Sequence, residues 1–170
     1  MKRKIKILNK ILRFFYTKKP SPVLPELFFL IGTYFFPQVN VELLIIYDNN
    51  ILLTWRDDEF GNSGWHMPGG ILRPNELLKN RINKVLETEL SLCPLFSESA
   101  ELIHIEEVIL SGSPFIRSHF ISFVYKINTS SSPINTKNIH EAKLFKEIPV
   151  NLIENHQRYR NLILKYALKS

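Results

Sequence analysis

Residues 65–92 read WHMPGGILRPNELLKNRINKVLETELSL, and the change of pattern inside that stretch decides the fold. Upstream of it, residues 39–47 and 51–55 are rich in β-branched and aromatic side chains, as strands are. The twin glycines Gly69 and Gly70 break that extended pattern, and only backbone without a Cβ can approach a neighbour so closely. From Glu76 onward, apolar residues fall at Leu78, Ile82, Val85, Leu86 and Leu90, a 3.6-residue period. The stretch therefore predicts a strand, a tight polar loop and an amphipathic helix. One face of that helix is core, and Glu89 rides on its edge.

The dipeptide Asn49-Asn50 predicts a hairpin turn between the two upstream strands. Downstream, AELIHIEEVIL and SHFISFVYKI both have strand composition and pair most simply across SGSPFIR. Residues 128–138 are polar and turn-rich, so they predict an exposed loop, and EAKLF a short strand after it. Residues 155–169 predict a closing helix with Tyr159, Leu162, Ile163 and Tyr166 as its apolar stripe. A mixed set of strands with few helices predicts an α+β sandwich.

The amino-terminal part is different in kind. Residues 3–18 place Ile5, Leu8, Ile11, Leu12 and Phe15 on one helical face, ringed by Lys and Arg. Residues 18–25, KKPSPVLP, carry three prolines and predict an extended linker, with a second short helix over residues 26–35. The expected division is a basic helix over 1–19, a linker with a short helix over 20–37, and a domain over 38–170 with its C-terminal helix. The formal net charge of +6 belongs to the first of these. Eight of the 22 basic residues lie in residues 1–19 with no acid among them; the other 14 face 16 acids, leaving −2. Nucleic acid is therefore not the expected partner of the domain. The basic helix has three readings: it covers the domain or a dimer partner, it lies on an anionic membrane surface, or it behaves as a flexible tail. The single cysteine, Cys93, excludes an intramolecular disulfide and has no companion for a metal site. The apolar run over residues 27–36 is too short to span a bilayer, and no signal-peptide pattern is present, so the expected location is cytoplasmic.

The spacing of Gly70, Glu76, Lys84, Leu86, Glu89, Ser91 and Leu92 resembles the Nudix box of hydrolases that cleave nucleoside diphosphates linked to another moiety. The box is degenerate: Lys84 stands where the pattern has Arg, Val85 and Thr88 where it has Glu, and Ser91 where it has Gly. That departure resembles the GDP-mannose mannosyl hydrolase branch, as does ILLTWRDDEFGNSGWHMPGG before the box. The resemblance covers residues 38–148. It implies a Nudix α/β/α sandwich with a mixed sheet, a Mg²⁺ cofactor with Mn²⁺ as substitute, a nucleotide-sugar substrate and a homodimer.

It also implies a site. Glu89 and the carbonyl of Gly69 would hold the metal, and His140 would be the catalytic base. Ile139, just before it, departs from the branch, where a side-chain oxygen reaches the metal. Arg56, Arg73, Lys84 and Glu42 would contact the substrate, while Gly70 and Glu76 shape the box, Glu76 bracing it through Lys84. An imidazole titrating near neutrality suits abstraction of a proton from water. His119 reads as a strand histidine with satisfied hydrogen bonds, and His66 and His104 carry no signal of their own. Asp57, Asp58 and Glu59 read as a solvated turn. Two other activities fit the same motifs: ordinary cleavage of a nucleoside diphosphate at phosphorus, and a catalytically inactive Nudix-fold module that binds a nucleotide.

Overall fold

The computed structural model describes residues 32, 35–57, 63–90, 99–109, 119–130 and 141–167. The basic helix expected over residues 1–19, Cys93, His140 and the loop before it lie outside the described residues. Of the short helix expected over residues 26–35, the one described bond is Phe36 N–H donating to the Gly32 carbonyl at 3.0 Å, a single helical turn.

Among the described residues, seven strands form one mixed sheet: β1 (Gln38–Tyr47), β2 (Asn50–Arg56), β3 (Gly64–His66), β4 (Gly69–Ile71), β5 (Glu101–Ile109), β6 (His119–Asn128) and β7 (Ala142–Phe145). The main path runs β3-β2-β1-β6-β5. β1 and β6 are parallel, with Val41 beside Phe123 and Ile45 beside Ile127, and the remaining pairs are antiparallel. β5 and β6 pair as the sequence suggested, with a bulge between Leu102 and His104. The β1–β2 turn sits one residue earlier than expected. Asp48 and Asn49 take the two left-handed positions (φ 48° and 55°), and Asn50 already pairs with Tyr47. Asp and Asn tolerate positive φ because their short polar side chains bond locally, which is why the pair can close a two-residue hairpin.

The sheet forks where β1 and β2 part. The two strands pair only over Ile45–Tyr47 and Asn50–Leu52. Farther along, β1 pairs with β4 from Asn40 to Glu42, while β2 pairs with β3 from Thr54 to Arg56. Residues 64–71 thus fill the fork. The twin glycines do not end the extended pattern, as expected, but resume it in β4; the interruption falls at Met67-Pro68, where the Pro68 carbonyl accepts the Leu43 N–H at 2.8 Å. Proline has no N–H to give the ladder, so the break belongs there.

Helices cover both faces. Helix α1 (Leu78–Leu90) buries Ile82, Val85, Leu86 and Leu90 against Val41, Leu43, Ile45 and Leu52. The opposite face of the sheet buries Leu44, Ile46, Ile51 and Leu53 against Trp65, Tyr159 and Ile163. Alternation along β1 separates the two layers, giving the expected α/β/α sandwich. The closing helix is broken where one continuous helix was expected: α2 (Glu154–Gln157) and α3 (Arg160–Tyr166) flank Tyr159 at φ −87°, ψ 0°. The His156 and Tyr159 N–H groups bond three residues back, to Ile153 and His156, and this tight winding turns both rings toward the sheet.

Candidate functional site at the strand fork

The fork collects the site. Glu89, in the last turn of α1, reaches across to it: Oε1 accepts the Gly69 N–H at 3.3 Å and Oε2 accepts the Thr54 hydroxyl at 3.2 Å. Glu42 comes from β1 and pairs in register with Gly69. A Cβ on residue 69 would collide with the Glu42 carboxylate and lie 2.8 Å from the Val41 carbonyl, so this position has room for glycine alone. Gly70 is tight in another way, its face closed by Val85 and Arg81.

Two buried histidines complete the cluster. His156 Nδ1 accepts the Met67 N–H at 3.1 Å, which fixes a neutral ring protonated on Nε2, and Nε2 lies 3.8 Å from Glu42 Oε2. His66 Nδ1 faces the Thr54 carbonyl at 2.8 Å and so carries a proton there. Its Nε2 lies 3.4 Å from the Thr54 hydroxyl and 3.9 Å from Glu89 Oε2. The two rings meet edge to face at 5.9 Å.

The electrostatics follow from burial. Desolvation pushes Glu42 up to about 8, against the pull of Arg56 and helped by the negative charge of Glu89. Desolvation likewise pushes Glu89 up to about 7, opposed by the Gly69 and Thr54 hydrogen bonds and by Arg56. His156 is held well below its usual 6.5 by burial, then by the fields of His66, Arg56 and Arg158. Two carboxyl groups buried in one site resist double ionisation, and a divalent cation would relieve that resistance. The donor set is hard oxygen, which suits Mg²⁺ or Mn²⁺. Among the described residues no three His, Cys, Asp or Glu side chains converge as a self-sufficient metal cage, so water and substrate phosphates would supply the remaining ligands.

Glu42, Arg56, Gly69 and Glu89 are therefore brought together, while other predicted residues sit elsewhere. Lys84 lies on the solvent face of α1, ion-paired with Glu87 at 2.9 Å, so it does not brace Glu76. Arg81 does: its Nε and Nη2 donate to Glu76 Oε2 at 2.8 and 2.6 Å, and the same oxygen accepts the Arg73 N–H at 2.9 Å. Arg81 is one turn nearer the loop than Lys84, about 4.5 Å along the axis, and so reaches Glu76 first. The Arg73 side chain is half-buried in that loop. Val85 is core, 2% exposed, where the pattern has a carboxylate. His119 bonds Glu107 and His104 bonds Glu106, each satisfied on its strand. His66, His156, Thr54 and Arg81 are the residues that sequence reasoning missed. Stepping the C-terminal apolar stripe back three residues from Tyr159 lands on His156, the one available signal.

No protein-family model matches the chain. The fold is similar to that of a bifunctional NMN adenylyltransferase/ADP-ribose pyrophosphatase from Francisella tularensis, at TM-score 0.60 and 20% identity, over 94% of this chain and 52% of that one. It is also similar to a MutT Nudix hydrolase from Burkholderia pseudomallei, at TM-score 0.54 and 23% identity, over 76% and 97% of the two chains. With a mixed sheet between helices and a glycine-bounded loop leading into α1, the chain has the Nudix fold. Among curated proteins it is 34% identical over 56 residues to the low-salt glycan biosynthesis protein Agl8 of Haloferax volcanii. That stretch is 33% of this chain and 36% of the relative, so the chain spans about a third of the relative it matches and about half of the bifunctional enzyme.

Proposed function

We propose that the protein is a metal-dependent hydrolase of a nucleoside diphosphate derivative, with a nucleotide sugar such as GDP-mannose as its substrate. The observation that carries this is the fork itself: Glu89 clamped to Gly69 beside Glu42, two largely buried carboxyl groups under the field of Arg56. The nucleotide part of the proposal is supported by the Nudix fold. Its sugar part is supported by the degenerate box and by the partial likeness to a glycan biosynthesis protein.

Glu89 and the Gly69 carbonyl would hold Mg²⁺ or Mn²⁺, whose contribution is to neutralise charge on the diphosphate. Arg56 positions the same diphosphate and shares its charge. His140 takes a proton from water as the water oxygen bonds to the anomeric carbon; the glycosidic C–O bond breaks, and the electron pair leaves with the nucleoside diphosphate. A good leaving group and a base on another segment explain why Val85 and Thr88 need not be carboxylates.

The test is hydrolysis of a nucleotide-sugar panel with Mg²⁺ in ¹⁸O-labelled water, on wild type and His140→Gln. Label in the free sugar and a large loss in the variant are expected. Label in a phosphate product would move the chemistry to phosphorus, and nucleotide binding without turnover would make the protein a binding module.

A further inference from the structure

A polar row crosses the sheet next to the fork, on the face that α2 and α3 cover. Register puts Asn40 of β1 beside Ser122 of β6, and Ser122 beside Glu106 of β5, so the three side chains share one face. Gln38 and Glu42 lie two residues to either side of Asn40 and point the same way. Tyr159, at the α2–α3 junction, hydrogen-bonds Ser122 and feels the charges of both Glu42 and Glu106. This row is therefore continuous with the carboxylates of the fork. Asn40 is about 7 Å from Glu42 along β1, and Glu106 is about 10 Å from Asn40 across two strand spacings. That span matches one ring attached directly to a diphosphate.

The row is also unfinished. Gln38 is 9% exposed and Ser122 3%, and the side-chain oxygens of Gln38 and Asn40 are buried with no hydrogen-bond partner among the described residues. A buried acceptor left unpaired costs about 1–3 kcal/mol, and packing alone would favour an apolar side chain of the same shape. The two unpaired atoms are acceptors, the amide oxygens of Gln38 and Asn40, and a ring that carries an O–H on most of its carbons supplies donors to both. A nucleobase carries few, and is held mainly by stacking.

We infer that Asn40, Gln38, Ser122 and Glu106 form the subsite for the glycosyl ring of the substrate, the unpaired amide oxygens of Asn40 and Gln38 awaiting sugar hydroxyls. The inference rests on the hydrolase reading above and adds to it which residues choose the sugar.

The experiment is calorimetric titration of the full chain with GDP and with GDP-mannose, and with UDP and UDP-glucose, in Mg²⁺ at low temperature. Wild type, Asn40→Leu and Gln38→Met are compared, each with its thermal unfolding measured. In wild type, one nucleotide sugar binds at least tenfold more tightly than its own nucleoside diphosphate, and both variants lose most of that ratio. Asn40→Leu unfolds at an equal or higher temperature, because it removes an unpaired acceptor; a misfolded Asn40→Leu would overturn the view that the amide serves a ligand. Ratios unchanged in both variants, or a fall in nucleoside diphosphate affinity that matches the fall for the sugar form, would place the ring elsewhere. Nucleoside diphosphate binding without any sugar advantage sinks the subsite alone, whereas no binding of any of the four sinks the hydrolase reading with it.

Discussion

Glu89 is held in place by two donors before any metal arrives, and His156 is held neutral by one. In the proposed site the first arrangement would make Glu89 a ligand that needs little reorganisation, so Glu89→Gln is expected to weaken Mn²⁺ binding by about 100-fold or more, the upper end of what even supporting groups around a metal cost. Mn²⁺ paramagnetic relaxation of water checks this; unchanged affinity would remove Glu89 from the site. The second arrangement has a pH signature. The folded pKa of His156 is depressed, so the unfolded chain binds a proton near pH 6.5 that the folded protein refuses. Its contribution to stability is complete above that pH and is lost as the pH falls below it. The stability gap between wild type and His156→Gln should therefore narrow below pH 6.5, by about 1.4 kcal/mol per pH unit. Glu42 has the opposite sign. Its folded pKa of about 8 lies above the unfolded 4.5, so its contribution is present at low pH and lost as the pH rises from 4.5 toward 8. Glu42→Gln should gain on wild type across that window, at a similar slope. Urea unfolding at half-unit pH steps, without metal, separates the two.

Among the elements, the strand-loop-helix cassette was the part most legible in the sequence, because its core face follows the 3.6-residue period through Ile82, Val85, Leu86 and Leu90. What period could not reveal was which cation braces the loop. Glu76 precedes α1, and its partner depends on where the helix starts and how the loop folds back, which side-chain spacing alone does not state. With Arg81 13% exposed and Lys84 54%, the two substitutions should differ. Arg81→Ala is expected to cost about 2 kcal/mol, since it strands a half-buried carboxylate. Lys84→Ala should stay within about 0.5 kcal/mol, as exposed pairs do. Thermal unfolding of the two variants decides it, and a larger loss at Lys84 would return the brace to the position the box pattern implies. His156 escaped notice for a related reason: its ring faces the site only because α2 and α3 are wound tightly at Tyr159, a local break that an apolar stripe cannot announce.

At the scale of the whole molecule, the charge distribution separates two jobs. The domain places buried carboxylates at the strand fork and has a mild negative balance, while residues 1–19 carry eight cations and an apolar stripe. A site for an anionic diphosphate gains nothing from a cationic cluster placed at random in sequence, but a surface of anionic lipid does. Each basic residue near such a surface contributes about 1 kcal/mol, and apolar side chains seated at the acyl boundary add to it. Part of that gain goes to ordering the segment, so micromolar to millimolar partition is the expected range. The full chain should therefore sediment with vesicles containing anionic phosphatidylglycerol, release as salt is raised from 0.05 to about 0.5 M, and ignore neutral phosphatidylcholine vesicles. Removing residues 1–19 should abolish the partition while leaving turnover of soluble substrate intact, because no fork residue lies in that segment. Equal partition of the shortened chain would show that the basic stripe instead covers protein, and a shortened chain that also unfolds at lower temperature would identify its own domain as the surface covered.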